Sequence, residues 1–169
     1  MIRPWIAACC VTLLAACAGQ DKALIEASAA RAAIVAQINL GIDATRNKNA
    51  DGYLDQIPDE IVMRDTRGEV LSRDSLRAQV LRAWAMIERT RALDAVVDTL
   101  ILHGDSATVV TTMRWDRLVR GADGKSIDTV LSVRKQSETW RRTPKGWRAF
   151  NVTPLGGVTT VNGRSIPQQ

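Results

Sequence analysis

The stretch Ala107-Thr108-Val109-Val110-Thr111-Thr112-Met113-Arg114-Trp115-Asp116-Arg117-Leu118-Val119 decides the fold. Its odd-numbered residues are Ala107, Val109, Thr111, Met113, Trp115, Arg117 and Val119, while the even ones include Thr108, Thr112, Arg114 and Asp116. Successive side chains of a strand point to opposite faces, so this is a long strand with one mostly apolar face. Gly121-Ala122-Asp123-Gly124 turns the chain into a second run reaching Arg142, and Thr143-Pro144-Lys145-Gly146 turns it into Trp147 to Pro154. Another strand precedes them, from Leu93 to the tight turn His103-Gly104-Asp105. A meander of this length needs cover for its apolar face, and only the helical segments upstream can supply it. The expected class is α+β: a strongly curved antiparallel sheet packed over three N-terminal helices.

Those helices are legible in order. Gln20 to about Lys48 is rich in Ala and places Leu24, Ala27, Ile34, Ile38 and Ile42 on or near one face. Asn49-Ala50-Asp51-Gly52 breaks it, and Tyr53, Leu54 and Ile57 mark a short second helix ended by Pro58. Glu60 to Thr66 reads as a short strand, Arg67-Gly68-Glu69 as a turn, and Val70-Leu71 as its brief partner. Ser72 is an N-cap with Asp74 in the first turn, and Leu76, Val80, Ala83, Trp84 and Ile87 give the third helix its apolar face. After Pro154, Asn162-Gly163 could close a small hairpin, but the polar end from Gly163 reads as a frayed tail.

At 169 residues the chain suffices for one domain with a real core. Its net charge of +5 comes from scattered Arg, without the clustered stripe a nucleic-acid surface needs. Residues 1–16 read as a signal peptide, with Arg3 followed by the apolar run Trp5 to Ala16. The run ends in Leu14-Ala15-Ala16-Cys17, which resembles the bacterial lipoprotein processing box. That resemblance implies cleavage before Cys17, lipidation of its sulfur, and attachment to the membrane. Ala18 is not the Asp associated with inner-membrane retention, so the outer membrane facing the periplasm is expected. Residues 17–33 are then tether and start of the first helix, 34–155 the domain, and 156–169 the tail. Cys9 and Cys10 leave with the signal, so the exported domain has no internal disulfide.

Four stretches carry a resemblance to a fold family: Asn49-Ala50-Asp51-Gly52-Tyr53-Leu54, Asp59-Glu60-Ile61-Val62-Met63-Arg64-Asp65, Leu71-Ser72-Arg73-Asp74-Ser75-Leu76 and Lys145-Gly146-Trp147-Arg148. In this order and spacing, over about Ile34 to Val152, the chain resembles the SnoaL-like branch of the nuclear-transport-factor-2-like superfamily. The resemblance implies a cone with a pocket between sheet and helices. Compared with the ketosteroid isomerases of that superfamily, Asp65 matches the general-base carboxylate. Glu138 falls at the second oxyanion donor, while Gly41 occupies the place of the oxyanion tyrosine and has no hydroxyl.

On the residues alone, Asp65 shares a strand face with Ile61 and Met63, yet also sits where an Asp starts a turn. Glu138 shares the even face of its strand with Val130, Ser132, Arg134, Gln136 and Trp140, a mixed face that lines a cavity or meets solvent. Tyr53, Met63, Trp115 and Trp140 are the candidates for ligand contact, with core packing as their competing role. His103, the only histidine, precedes Gly104-Asp105 and reads as an exposed turn residue. No metal site or cofactor is expected, and no phosphate loop or nucleophile elbow is present in the sequence.

The leading expectation is a lipid-anchored, non-enzymatic envelope protein that binds a small, partly apolar ligand in the cone pocket. The alternatives are an isomerase or lyase using Asp65 as general base, and a structural module that forms a homodimer through the outer sheet face.

Overall fold

The computed structural model describes residues 10–61, 69–121 and 123–166, with side chains from Leu24 onward. Three helices come first, α1 (Cys10–Arg46), α2 (Ala50–Leu54) and α3 (Arg73–Ala85). Five strands follow: β1 (Ile87–His103), β2 (Ser106–Arg120), β3 (Ile127–Thr143), β4 (Gly146–Val161) and β5 (Arg164–Ile166). The short strand expected at Glu60 to Thr66 falls largely on residues 62–68, outside the described ones.

Every strand pairs antiparallel with its neighbour in sequence, giving the order β1-β2-β3-β4-β5. The expected cone is therefore not formed. Closing a sheet requires its two edges to meet, whereas β1 and the three-residue β5 both remain edges. Helix α1 covers the β1 edge instead. Arg31 Nη2 donates to the Val97 carbonyl at 2.8 Å and Lys48 Nζ to the Ile87 carbonyl at 2.6 Å. Arg46 donates to the Leu93 carbonyl between them. Two cations of α1 and Lys48 just beyond its end thus bond to carbonyls of the edge strand, a way to blunt an edge.

The alternation read from β2 holds: Ala107, Val109 and Thr111 are buried and Thr108, Val110 and Thr112 are less so. On α1 the buried positions are Ala30, Ile34, Ile42 and Ala44; Leu24, assigned to the same stripe, is 70% exposed, so close packing starts about one and two-thirds turns later. Ala30 and Ile34 pack with Val97, Ala107, Val109, Trp140 and Trp147 in one cluster. A second cluster joins Ala50, Trp84 and Ile87, with Tyr53 and Trp115 against it. Helix caps form as their residues dictate. The Asn49 side chain accepts from Gly52 N at 3.0 Å, and Ser72 Oγ accepts from Ser75 N at 3.1 Å.

Two boundaries differ from expectation. Ile87, assigned to the third helix, opens β1, because α3 ends at Ala85. Toward the C-terminus, β4 continues through Gly156-Gly157 to Val161, and Arg164–Ile166 of the segment read as frayed fold back as β5. Asn162 and Gly163 have φ of 50° and 79°. That pair of positive values is what a two-residue hairpin turn matching strand twist needs.

Candidate functional site

A cavity of about 670 Å³ lies between the sheet and all three kinds of helical cover. Ile38, Gly41 and Ile42 enter from α1, Tyr53 from α2, and Val80 and Trp84 from α3. The opposite wall is the inward face of β2 and β3, from Thr111 to Val119 and from Val130 to Glu138. Most of this lining is aliphatic or aromatic. The polar groups are few, as is usual for a site that fixes a small organic molecule.

Glu138 is the central polar group. It is buried, and its carboxylate takes hydrogen bonds from three side chains. Thr111 Oγ1 and Gln136 Nε2 donate to Oε1 at 2.7 and 2.8 Å, and Trp140 Nε1 donates to Oε2 at 2.6 Å. The local sequence makes this possible. Gln136, Glu138 and Trp140 alternate along β3 and so share a face, and Thr111, which pairs with Gln136, lies diagonally across from Glu138, two residues from its partner Val109. A carboxylate has about four acceptor positions, so one on Oε2 is left for a ligand.

Tyr53 packs edge-on against Trp84, with ring centroids 5.6 Å apart and planes at 76°. Burial pushes its phenol above the ordinary value of 10.0, so it remains a neutral donor. Its hydroxyl has no hydrogen-bond partner among the described residues and is not sealed in the core. Gly41 also lines the cavity, so the position without a hydroxyl is a cavity position.

The candidates thus separate. Glu138, Tyr53 and Trp115 line one cavity. Trp140 is instead a core residue that reaches the site through Glu138. Asp65 and Met63 lie outside the described residues, and for Cys17 only the backbone, within α1, is described. His103 is exposed at the end of β1. Among the described residues no group of His, Cys, Asp or Glu is arranged to hold a metal ion.

Sequence reasoning passed over Thr111 as a Glu138 partner and Arg117 as a site residue. Arg117 stacks on Trp115, its guanidinium carbon 4.3 Å from the ring centroid, and donates to Ser132 Oγ at 3.2 Å. Its odd position on β2 placed it on the inward face, a signal that a charge on an apolar face should have drawn attention to.

No family model matches the sequence, and no curated protein does. Solved structures show the fold. A proposed aromatic ring hydroxylase from Novosphingobium aromaticivorans matches at a TM-score of 0.58 and 18% identity, over 80% of this chain and 94% of that one. A proposed dehydratase of the nuclear-transport-factor-2-like family from Streptomyces avermitilis matches at 0.53 and 15%, over 75% and 96%. A ketosteroid isomerase-like protein from Erwinia carotovora atroseptica matches at 0.54 and 13%, over 74% and 95%. The chain shares its fold with these structures, one of which is described as belonging to the nuclear-transport-factor-2-like family.

The expected non-enzymatic binder in a cone pocket is not upheld. Its pocket depended on a sheet curled on itself, and the sheet is open. The cavity that exists holds a buried carboxylate fixed by three side-chain donors, set in a mostly apolar lining.

Proposed function

We propose that this protein is an acid–base enzyme, an isomerase or lyase that moves a proton on a small, largely apolar organic substrate in the cavity. The observation that carries this reading is Glu138: buried on the cavity wall, fixed by Thr111, Gln136 and Trp140, with one acceptor position left on Oε2. A fixed carboxylate loses little freedom when it meets a substrate hydroxyl or an acidic C–H, which is how positioned groups contribute to rate. The neutral Tyr53 phenol supplies a donor toward charge developing on a substrate oxygen. Asp65 is the general base that the SnoaL-like resemblance implies, and Glu138 the second carboxyl group of the pair. The structurally similar proteins described as a proposed hydroxylase, a proposed dehydratase and a ketosteroid isomerase-like protein support an enzyme on this fold.

The test is deuterium incorporation next to the carbonyl of a panel of cyclic ketones and β-hydroxyketones, followed by proton NMR in heavy water. Exchange should be catalysed by the wild type and lost in Asp65→Asn, and Glu138→Gln should slow it strongly. A ligand that binds the cavity with no exchange above buffer would overturn the reading.

We propose separately that the domain sits in the cell envelope, attached through Cys17. Its support is the box Leu14-Ala15-Ala16-Cys17 at the end of an apolar run.

A further inference from the structure

Two guanidinium groups share the cavity wall with Glu138, and neither is paired with it. Arg117 and Arg134 both line the cavity, and neither forms an ion pair among the described residues. The contrast with the other face of the same strands is informative. There Arg114 lies 3.8 Å from Asp116, Arg91 lies 2.7 Å from Asp116, and Lys135 lies 3.6 Å from Asp98. Arg114 and Lys135, outward on β2 and β3, are answered by carboxylates, and Arg117 and Arg134 are not.

Arg117 is fixed as well as unpaired. Its guanidinium lies over the Trp115 ring and donates to Ser132 Oγ at 3.2 Å and to the Trp115 carbonyl at 3.4 Å. Ser132 Oγ is buried and also accepts from Thr159 Oγ1 at 3.2 Å, which leaves its own O–H to donate. Burial and the neighbouring Arg134 charge both depress the Arg117 pKa, as expected where two like charges stand in a partly dry wall. An anion there would answer both cations.

We propose that the cavity binds an amphipathic monocarboxylate, its apolar body among Ile38, Tyr53 and Trp84 and its carboxylate on Arg117, Arg134 and the Ser132 hydroxyl. The planar guanidinium matches a carboxylate in two parallel hydrogen bonds, a geometry a lysine could not offer. The register sets the reach. Ser132 pairs with Trp115, and Arg134 with Met113, so the subsite lies along β2 and β3 on the same face as Glu138, which pairs with Val109. A substrate held by its carboxylate at one end would present its other end toward Glu138. This assignment rests on the proposed enzymatic reading only for what happens at that second end, since binding needs no turnover.

Calorimetric titration of the wild-type protein with 2-naphthoate and with its uncharged counterpart 2-naphthamide tests it. The acid should bind more tightly by roughly tenfold or more, the effect of one charge-assisted hydrogen bond in a shielded site. Arg117→Gln and Arg134→Gln should each reduce that preference, while Arg114→Gln on the opposite face should leave it unchanged. Arg134 is exposed, so its variant tests the subsite without disturbing the core. Equal affinity for acid and amide, or a preference that survives both inward substitutions, overturns the proposal. Arginine-dependent naphthoate binding together with no proton exchange on any ketone would uphold the subsite and defeat the enzymatic reading.

Discussion

The indole Nε1 of Trp140 donates to Oε2 of Glu138 at 2.6 Å, and the two residues are next-but-one neighbours on β3. Both are buried, Trp140 at 4% and Glu138 at 6% exposure, so the bond joins the apolar core to the cavity wall. Trp140 also packs with Ile34 of α1, which means that the position of the carboxylate is tied to the seating of the helix on the sheet. Core packing and site geometry are one construction here.

Replacing that tryptophan with phenylalanine separates the two contributions. Trp140→Phe keeps an aromatic ring in the core but removes the donor, leaving a buried carboxylate oxygen with no protein partner. Leaving such a group unsatisfied costs about 1–3 kcal/mol. Urea unfolding should show a loss in that range. Trp147→Phe, in the same core cluster with no side-chain bond to Glu138, should cost less.

The single tyrosine gives a pH prediction with a definite sign. Burial raises the Tyr53 pKa above 10.0 in the folded protein, because the phenolate is the form that loses water. The unfolded chain therefore gives up this proton first. The stability that the neutral buried phenol contributes is fully present below about pH 10, the unfolded value, and declines as pH rises through the folded pKa. Difference absorbance of phenolate in the native protein should show a midpoint above that of the urea-unfolded chain. Tyr53→Phe should remove the midpoint and flatten this part of the alkaline stability profile.

How much of this was legible in the sequence depended on whether a period or a distance carried the information. The face of β2 and the sharing of one face by Ser132, Arg134, Gln136 and Glu138 follow from period two and were read correctly. Closure of the sheet is not a periodic property: whether β1 meets a last strand or a helix depends on Arg31, Arg46 and Lys48 reaching its carbonyls. Ile87 was misassigned because it continues the helical spacing of Val80 and Trp84 while packing against them from the start of β1. The role of Thr111 depends on interstrand register, which is hidden until β2 and β3 are aligned.

The C-terminal hairpin offers a local test of one such miss. Gly163 has φ of 79°, a conformation that costs an ordinary L-residue about 1–2 kcal/mol. Gly163→Val should therefore unpair β5 and expose the amides near Thr159 to Val161. Hydrogen exchange should quicken there and remain slow in β1 and β2. Unchanged protection of β4 would show that the turn does not hold this edge.

Attachment is testable at one atom. If the box ending in Cys17 directs lipidation, the mature N-terminus should carry a diacylglyceryl group on the Cys17 sulfur, and Cys17→Ser should leave the membrane fraction. Mass spectrometry of the purified N-terminal peptide decides it: an unmodified Cys17 removes the anchor from the proposal.

Gly41 is where helix stability and cavity function oppose each other. It lies inside α1, where glycine costs about 1 kcal/mol relative to alanine because the backbone loses more freedom on ordering. A Cβ built there would meet only Gln56 Cγ, at 3.8 Å, an ordinary contact. Its φ is not among the positive values, so alanine fits the backbone without strain. Gly41→Ala should therefore stabilise the fold by up to about 1 kcal/mol, seen as a higher urea midpoint at unchanged slope. The added methyl stands at a cavity-lining position of α1, so affinity for a 2-naphthoate-sized ligand should fall while stability rises. Gly41→Leu should lower affinity further. If both variants gain stability and bind the ligand as the wild type does, the ligand does not use this wall, and the cavity wall nearest α1 is not part of the working site.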